Sequence, residues 1–273
     1  MESPSAVELA RPSPVIGWEG DDMTRHWHGT ICRLKESAHH KAGLFLVNYL
    51  GMTCIVSTYL PEGFVIGADG LRCDLWDVVT DHAQKIFPVE QNGVTCAYAW
   101  AGHSRICYTD RPHFDFSEQS QLVIADLAEM GGSLEEYAGR FARVFNSRLL
   151  FHNGVFQIPG RGPKGTEIAR VLFVGYVNGR ASRVEFSFFC ENGITRTQMS
   201  DAKLAFGDFE FKVFSGSPEV LDTTNLEECT SLNGCRDAIR RYIQKSASSD
   251  IGGHTHIATV TPEKFEWIVP PVA

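Results

Sequence analysis

Two short apolar runs separated by a turn constrain the fold of this chain more than any other feature. The runs are Cys54–Leu60 (CIVSTYL) and Phe64–Ala68 (FVIGA), and both are rich in β-branched and aromatic residues. Pro61-Glu62-Gly63 lies between them and is typical of a tight turn. The pattern predicts a β-hairpin whose second strand ends at Asp69-Gly70, and it places the chain among proteins built on antiparallel strands.

The remaining strands and helices are predicted from the same kinds of signal. The hydrophobic period changes from that of strands to that of helices near Ser117, and Ser133–Glu136 forms a capping box at the start of a second helix. Strands are predicted at Gln84–Val89, Val94–Trp100, Ala169–Val177, Arg183–Cys190, His256–Val260 and Phe265–Val269, and one further strand is predicted to end at Phe214. Helices are predicted at Ser117–Met130, Ser133–Leu149 and Asn233–Gln244. The order of these strands and helices along the chain predicts an α+β domain of two packed antiparallel sheets with helices outside them.

Composition excludes several classes of function. The chain has 273 residues, and its net charge of -8 argues against nucleic acid or an anionic membrane as a partner. No apolar run approaches the roughly 18 residues of a membrane span. The eight cysteines form no CxxC pair, so neither a metal site nor a cofactor is predicted, and we expect buried free thiols in a cytoplasmic protein.

Residues 1–52 differ from the rest of the chain in having weak hydrophobic periodicity. We interpret 1–52 as an irregular N-terminal extension or propeptide, and 53–273 as a single domain. Histidine pairs in the extension, and His254 and His256 in the last strands, are interpreted as ordinary residues rather than metal ligands. His82 and His103 lie beside candidate site residues and are interpreted as bystanders.

One constellation of residues carries chemistry by its spacing. Asp69 follows Thr53 by sixteen residues and Lys85 follows it by thirty-two, while Ala101-Gly102 ends a later strand and Ser215-Gly216-Ser217 forms a turn. This arrangement resembles the amino end of mature proteasome β-subunits and of the related bacterial ATP-dependent peptidase subunit, and the resemblance covers most of 53–269. It implies a four-layer αββα N-terminal-nucleophile (Ntn) hydrolase sandwich.

The resemblance also implies a mechanism. Thr53 would be a threonine nucleophile whose own α-amine is the base, since a hydroxyl needs a base close by and an α-amine titrates near neutral pH. Lys85, held by Asp69, would keep that amine unprotonated, and the backbone N–H of Gly102 would form the oxyanion hole. Two further residues are implied in orienting the amine: Ser215 and, less directly, Asp250, which lies two residues from the position at which the family has its aspartate.

The residues before Thr53 leave three interpretations open. Met52 lies where the family has the glycine before its cleavage point, and Gly51 is one residue too early. Met52 is the true initiator in the favoured interpretation; alternatively, 1–52 is a propeptide with an unusual junction, or it remains and the protein is an inactive structural subunit. Segments at 103–115, 153–164 and 201–208 resemble insertions relative to the family.

We therefore expect a threonine-type endopeptidase that acts on polypeptides, assembles into rings with itself and works with an ATPase unfoldase. Two rivals remain: a non-proteolytic amidohydrolase with the same fold, and a catalytically silent ring subunit. An α-type ring subunit is not expected, because nothing resembles its N-terminal helix.

Overall fold

A computed structural model describes most of the chain after residue 52. The described residues are 46–47, 53–74, 77–91, 93–107, 112–127, 132–152, 166–191, 194–204, 209–224 and 226–272. All of them belong to one unit, Gly43–Ala273. Apart from 46–47, the extension predicted at 1–52 lies outside the described residues, and so does the loop at 153–164.

The predicted hairpin lies near the middle of a five-stranded antiparallel sheet, which we call the hairpin sheet. Its strands, in spatial order, are β13 (Glu210–Ser215), β2 (Ile55–Leu60), β3 (Gly63–Ala68), β14 (His256–Val260) and β15 (Phe265–Val269). Every residue of β2, β3 and β14 is buried, as expected for strands covered on both faces.

A second five-stranded antiparallel sheet is built from longer strands, and we call it the long-strand sheet. Its order is β12 (Ile194–Lys203), β11 (Arg180–Glu191), β10 (Thr166–Val177), β7 (Val94–Gly102) and β6 (Ile86–Gln91). Two small sheets complete the strands: β1 (Leu46–Val47) with β8 (Arg105–Cys107) and β9 (Phe114–Asp115), and β4 (Arg72–Asp74) with β5 (Asp77–Thr80).

The three described α-helices begin at side-chain caps, which bind backbone N–H groups that lack a partner in the first turn. Asp115 caps α1 (Phe116–Asp126), and Ser231 caps α3 (Leu232–Lys245). The capping box predicted for α2 (Leu134–Leu149) is confirmed, because Ser133 and Glu136 each bond the other's backbone N–H. A short 3-10 helix covers Pro218–Thr223.

Three buried clusters show how these elements pack. Ile55 and Phe64 of the hairpin sheet share one cluster with Ala97, Leu172 and Tyr176 of the long-strand sheet, so the two sheets face each other. The opposite face of the long-strand sheet packs on α1 and α2 through a cluster that includes Trp100, Phe141, Phe145, Phe173 and Phe186. The opposite face of the hairpin sheet packs on α3 through Val56, Val65, Ile239 and Tyr242.

One glycine sets the distance between α3 and the hairpin sheet. A Cβ added to Gly67 on β3 would lie 2.4 Å from Cγ2 of Ile239 and 3.3 Å from Cδ1 of Ile243. Glycine therefore lets the helix approach closely, at the strand that leads into Asp69.

The structure confirms antiparallel sheets with few helices. It differs from the sequence prediction at β12, because Asp201–Lys203, expected within a loop, belong to a strand paired with β11. Sequence signals also missed the β4–β5 hairpin and the short strands β8 and β9, since these elements have few consecutive apolar residues.

Candidate functional site

Thr53 lies two residues before the start of β2 and is buried, with 7% of its surface exposed. It lines a cavity of about 310 Å³ between the hairpin sheet, the end of β7 and the β4–β5 hairpin. Three other residues singled out in the sequence line the same cavity: Lys85, Gly102 and Asp250. The fold therefore brings together residues that are up to 197 positions apart (250 − 53).

Asp69 is held below this cavity by three hydrogen bonds. Its Oδ1 accepts from Nζ of Lys85 at 2.8 Å and from the backbone N–H of Cys54 at 2.8 Å, and its Oδ2 accepts from the N–H of Gly252 at 3.1 Å. Asp69 is fully buried, and Lys85 is 8% exposed. A buried carboxylate needs such partners, so Asp69 fixes both the Lys85 ammonium and the backbone next to Thr53.

Two opposing effects act on the Lys85 ammonium. Burial lowers the pKa of Lys85, because desolvation disfavours the charged form, and the Asp69 carboxylate opposes this effect. Lys85 lines the same cavity as Thr53, and a positive charge there would disfavour protonation of a second amine.

His256 is a site residue that the sequence did not reveal. Its Nε2 accepts a hydrogen bond from the backbone N–H of Lys85 at 3.1 Å, and the ring is 1% exposed. Burial lowers the pKa of His256 to about 3, with smaller effects from Lys85 and His254. The ring is thus neutral at pH 7 and carries its proton on Nδ1, since Nε2 is an acceptor. His256 lies opposite Ala68, the residue before Asp69, through the pairing of β14 with β3, which the sequence did not indicate.

Gly102 ends β7 with a φ of 111°, a backbone conformation that residues other than glycine rarely adopt. Two residues earlier, the N–H of Trp100 donates to the carbonyl of Lys85 at 3.1 Å. The strand that carries Gly102 is therefore hydrogen-bonded to the backbone of Lys85, the residue directly before β6.

The remaining two predicted residues lie differently. Ser215 ends β13 opposite Ile55, and it is not among the residues that line the cavity. Asp250 does line the cavity, in a loop where its N–H donates to Oγ of Ser248 at 3.2 Å. The roles assigned to both stay predictions.

The β4–β5 hairpin and the start of α1 add side chains to the cavity that sequence patterns did not indicate. Among them are Arg72, Cys73, Thr80, Asp115 and Ser117. Burial raises the pKa of Cys73, and it raises the pKa of the Cys54 thiol to about 12, so both thiols are protonated near neutral pH.

His82, His103 and His254 do not line the cavity. His82 pairs with Asp81 at 2.9 Å, and the ring of His254 contacts the carbonyl of Pro270 at 2.8 Å. His103 is buried and does not line the cavity. Six cysteines of the described chain are free thiols: Cys54, Cys73, Cys96, Cys190, Cys229 and Cys235.

The described residues show neither a metal-binding group nor a membrane-spanning helix. No group of three or more His, Cys, Asp or Glu side chains in this part of the chain is arranged to hold a metal ion. Among the helices that the structure describes, none has both the length and the apolar character needed to cross a membrane.

Comparison with known proteins finds similarity in structure but not in sequence. No family model matches the chain, and no curated protein matches it. The chain is similar to the Anbu (Gly-1) mutant from Hyphomicrobium sp. strain MC1, with a TM-score of 0.53, 12% identity, and coverage of 80% of this chain and 87% of that one.

Two further solved structures are similar. One is a helical assembly of the Anbu complex from Pseudomonas aeruginosa, with a TM-score of 0.50, 13% identity, and coverage of 81% and 88%. The other is Anbu (ancestral beta-subunit) from Yersinia bercovieri, with a TM-score of 0.49, 15% identity, and coverage of 80% and 87%. At 12% and 13% identity, the likeness to the Hyphomicrobium and Pseudomonas structures shows a shared fold only.

This result corrects the resemblance drawn from the sequence. The assignment to the proteasome β-subunit and bacterial ATP-dependent peptidase-subunit family was wrong, because no model of a family matches and the similar structures are Anbu proteins. The physical reason is that the stretch from Thr53 to Lys85 contains two local hairpins, β2–β3 and β4–β5, and a spacing across local elements does not by itself identify a family.

Proposed function

We propose that this protein is an N-terminal-nucleophile amide hydrolase of the αββα class, with Thr53 as its nucleophile and peptides as its substrates. One observation carries the proposal: Thr53 shares a cavity with the ammonium of Lys85, which the buried Asp69 holds at 2.8 Å. The order of helix, sheet, sheet and helix inferred from the three buried clusters supports the class.

The proposed reaction begins after cleavage of the bond between Met52 and Thr53. The free α-amine takes the proton of the Thr53 hydroxyl, and Oγ attacks the carbonyl carbon of the scissile amide. The negative charge that develops on the carbonyl oxygen is stabilised by the N–H of Gly102. The amine then returns the proton to the leaving nitrogen as the C–N bond breaks, and water hydrolyses the ester to release the acid and regenerate Thr53.

Lys85 keeps the amine in its basic form, because a nearby positive charge disfavours a second protonated amine. Asp69 positions Lys85 by its side chain, and it positions Thr53 through the N–H of Cys54. His256 fixes the backbone of Lys85. Asp250, at the cavity wall, and Ser215, at the end of β13, are proposed to orient the amine.

Assembly and location belong to the same proposal. We propose that copies of this chain associate with one another, since one similar structure is a helical assembly of a complex. A cytoplasmic location accords with the free thiols of the described chain. An ATPase unfoldase partner stays a prediction. Size-exclusion chromatography with light scattering tests self-association of the purified protein, and a single species at the mass of one chain would contradict it.

The test of the chemistry compares three proteins that begin at residue 53, released from a cleavable fusion partner. The unsubstituted protein should hydrolyse peptide-fluorophore amides and form an ester on Thr53, detectable by mass spectrometry with an activated acyl probe. Thr53→Ala should lose both activities, whereas Thr53→Ser keeps a hydroxyl and should retain measurable turnover. Equal hydrolysis by Thr53→Ala would overturn the proposal.

A further inference from the structure

One wall of the cavity carries a guanidinium group with few polar partners among the described residues. Arg72 begins β4 and lines the cavity with Thr53. Within the described chain its ion pair, from Nη1 to Oδ2 of Asp115, is long at 4.0 Å. Its Nε is buried and has no hydrogen-bond partner in the part of the chain that the structure describes. A planar guanidinium with free donors is suited to bind a carboxylate in a bidentate geometry.

Asp115 is not a dedicated partner of Arg72, because both of its carboxylate oxygens accept hydrogen bonds from other groups. Oδ1 accepts from the N–H groups of Ser117 and Glu118 at 3.0 and 3.2 Å, as the cap of α1. Oδ2 accepts from Nε and Nη2 of Arg105 at 3.4 and 3.3 Å. Two guanidinium groups therefore share one carboxylate, and the oxygen that contacts Arg72 is also bonded to Arg105.

Among the described residues, no other charged side chain forms an ion pair with Arg72. The ammonium of Lys85 is paired with Asp69. Glu118 lines a wider opening together with Arg105, next to the cavity itself. Within the described chain, Arg72 is thus left with its long contact to Asp115.

We propose that Arg72 binds a carboxylate of the substrate, so that the site prefers peptides with an acidic group at the residue whose carbonyl Thr53 attacks. The inference rests on the proposed function. Phe87 and Trp100 also line the cavity and would cover the methylene groups of such a side chain. At about 310 Å³ the cavity lies near the lower end of ligand pockets, about 300–1,000 Å³, which suits one side chain.

The experiment uses four peptides that differ only at the residue before the scissile bond and at the C-terminus. Three are C-terminal amides with Glu, Gln or Lys at that residue, and the fourth has Gln there and a free C-terminal carboxylate. Binding to the full chain carrying Thr53→Ala is measured by calorimetry, and hydrolysis is measured with the matured protein. Comparing the second and fourth peptides separates a side-chain acid from a terminal carboxylate.

We expect the Glu peptide to bind and to be hydrolysed about tenfold better than the Gln amide, as for a charge-assisted bidentate pair. Arg72→Gln should bring that ratio to about one, and Arg72→Glu should favour the Lys peptide. Arg180→Gln, at an exposed turn remote from the cavity, should leave the ratio unchanged. If the fourth peptide shows the gain instead of the Glu amide, the carboxylate is that of the chain terminus.

Three outcomes would overturn the inference: equal binding of all four peptides, a gain for the fourth peptide instead of the Glu amide, or an acidic preference that persists in Arg72→Gln. Failure of the proposed function has a different signature. In that case the Glu peptide binds tightly through Arg72 and no peptide is hydrolysed, so the carboxylate site stands without the reaction.

Discussion

The side chain of Asp69 links most of the candidate site, since it bonds the ammonium of Lys85 and the backbone of Cys54 and Gly252. Asp69→Asn removes the charge and leaves the buried Lys85 ammonium without a carboxylate. We expect the free energy of unfolding to fall by about 3–5 kcal/mol, the usual cost of breaking a buried pair. Urea denaturation followed by circular dichroism measures this change.

The matched control is an ion pair of the same kind on the surface. Lys264 and Glu266 lie 2.6 Å apart with side chains 60% and 57% exposed. Glu266→Gln should change stability by less than about 1 kcal/mol, because solvent screens exposed pairs. Similar losses of unfolding free energy in the two variants would show that the burial of Asp69 does not determine the cost of removing its charge.

His256 gives the protein a predictable response to acid. Its pKa is about 3 in the folded chain and 6.5 as its ordinary value, so between these values the unfolded chain binds a proton that the folded chain does not. Stability is therefore full above pH 6.5 and falls as the pH falls towards 3, by up to about 1.4 kcal/mol per pH unit from this group.

Urea denaturation at pH 7, 6 and 5 tests this sign. His256→Gln should reduce the loss of stability on acidification, whereas His82→Gln, which changes an exposed ring, should leave it intact. Parallel pH profiles for the original chain and His256→Gln would contradict the account.

The sequence indicated residues that lie within one stretch of the chain, from just before β2 to just before β6. Thr53, Asp69 and Lys85 are of this kind, and the structure brings them together, although their roles stay predictions. It missed His256 and Arg72, because their places depend on which strands pair across the chain. A single sequence contains little information on such long-range pairing.

At the scale of elements, the contact between β3 and α3 depends on Gly67. Gly67→Ala would place a Cβ 2.4 Å from Cγ2 of Ile239, so the helix must shift away from the sheet. We expect a loss of about 1–3 kcal/mol, as for other overpacked cores. Gly139→Ala on α2, whose added Cβ would lie 3.9 Å from Nη1 of Arg143, should instead be neutral or stabilise by up to about 1 kcal/mol.

Thermal unfolding of both variants distinguishes packing from a general effect of replacing glycine. If Gly67→Ala is as stable as Gly139→Ala, the close approach of α3 is not required. The outcome bears on the site as well, because β3 leads directly into Asp69.

The elements themselves were predictable to different degrees. Strands β14 and β15 begin and end where the sequence predicted, since their apolar runs are bounded by polar residues. The edge strand β12 (ITRTQMSDAK) was missed because it is polar at most positions and is defined by its pairing with β11. Local patterns predict buried strands well, whereas edge strands depend on a neighbour.

At the scale of the whole molecule, the fold places Thr53 at the start of a central strand of one sheet, facing a cavity bounded by the end of a strand of the other. The proposed chemistry needs one further event, cleavage before Thr53, because only a free α-amine can act as the base. The presence or absence of residues 1–52 in the mature protein therefore decides between an enzyme and a silent subunit.

The most direct test is the N-terminus of the protein purified from its native host, determined by intact mass and N-terminal sequencing. The account predicts that the mature chain begins at Thr53. A mature chain that begins at Met52 or earlier would contradict it, because Thr53 would then have no free amine and no base for its hydroxyl.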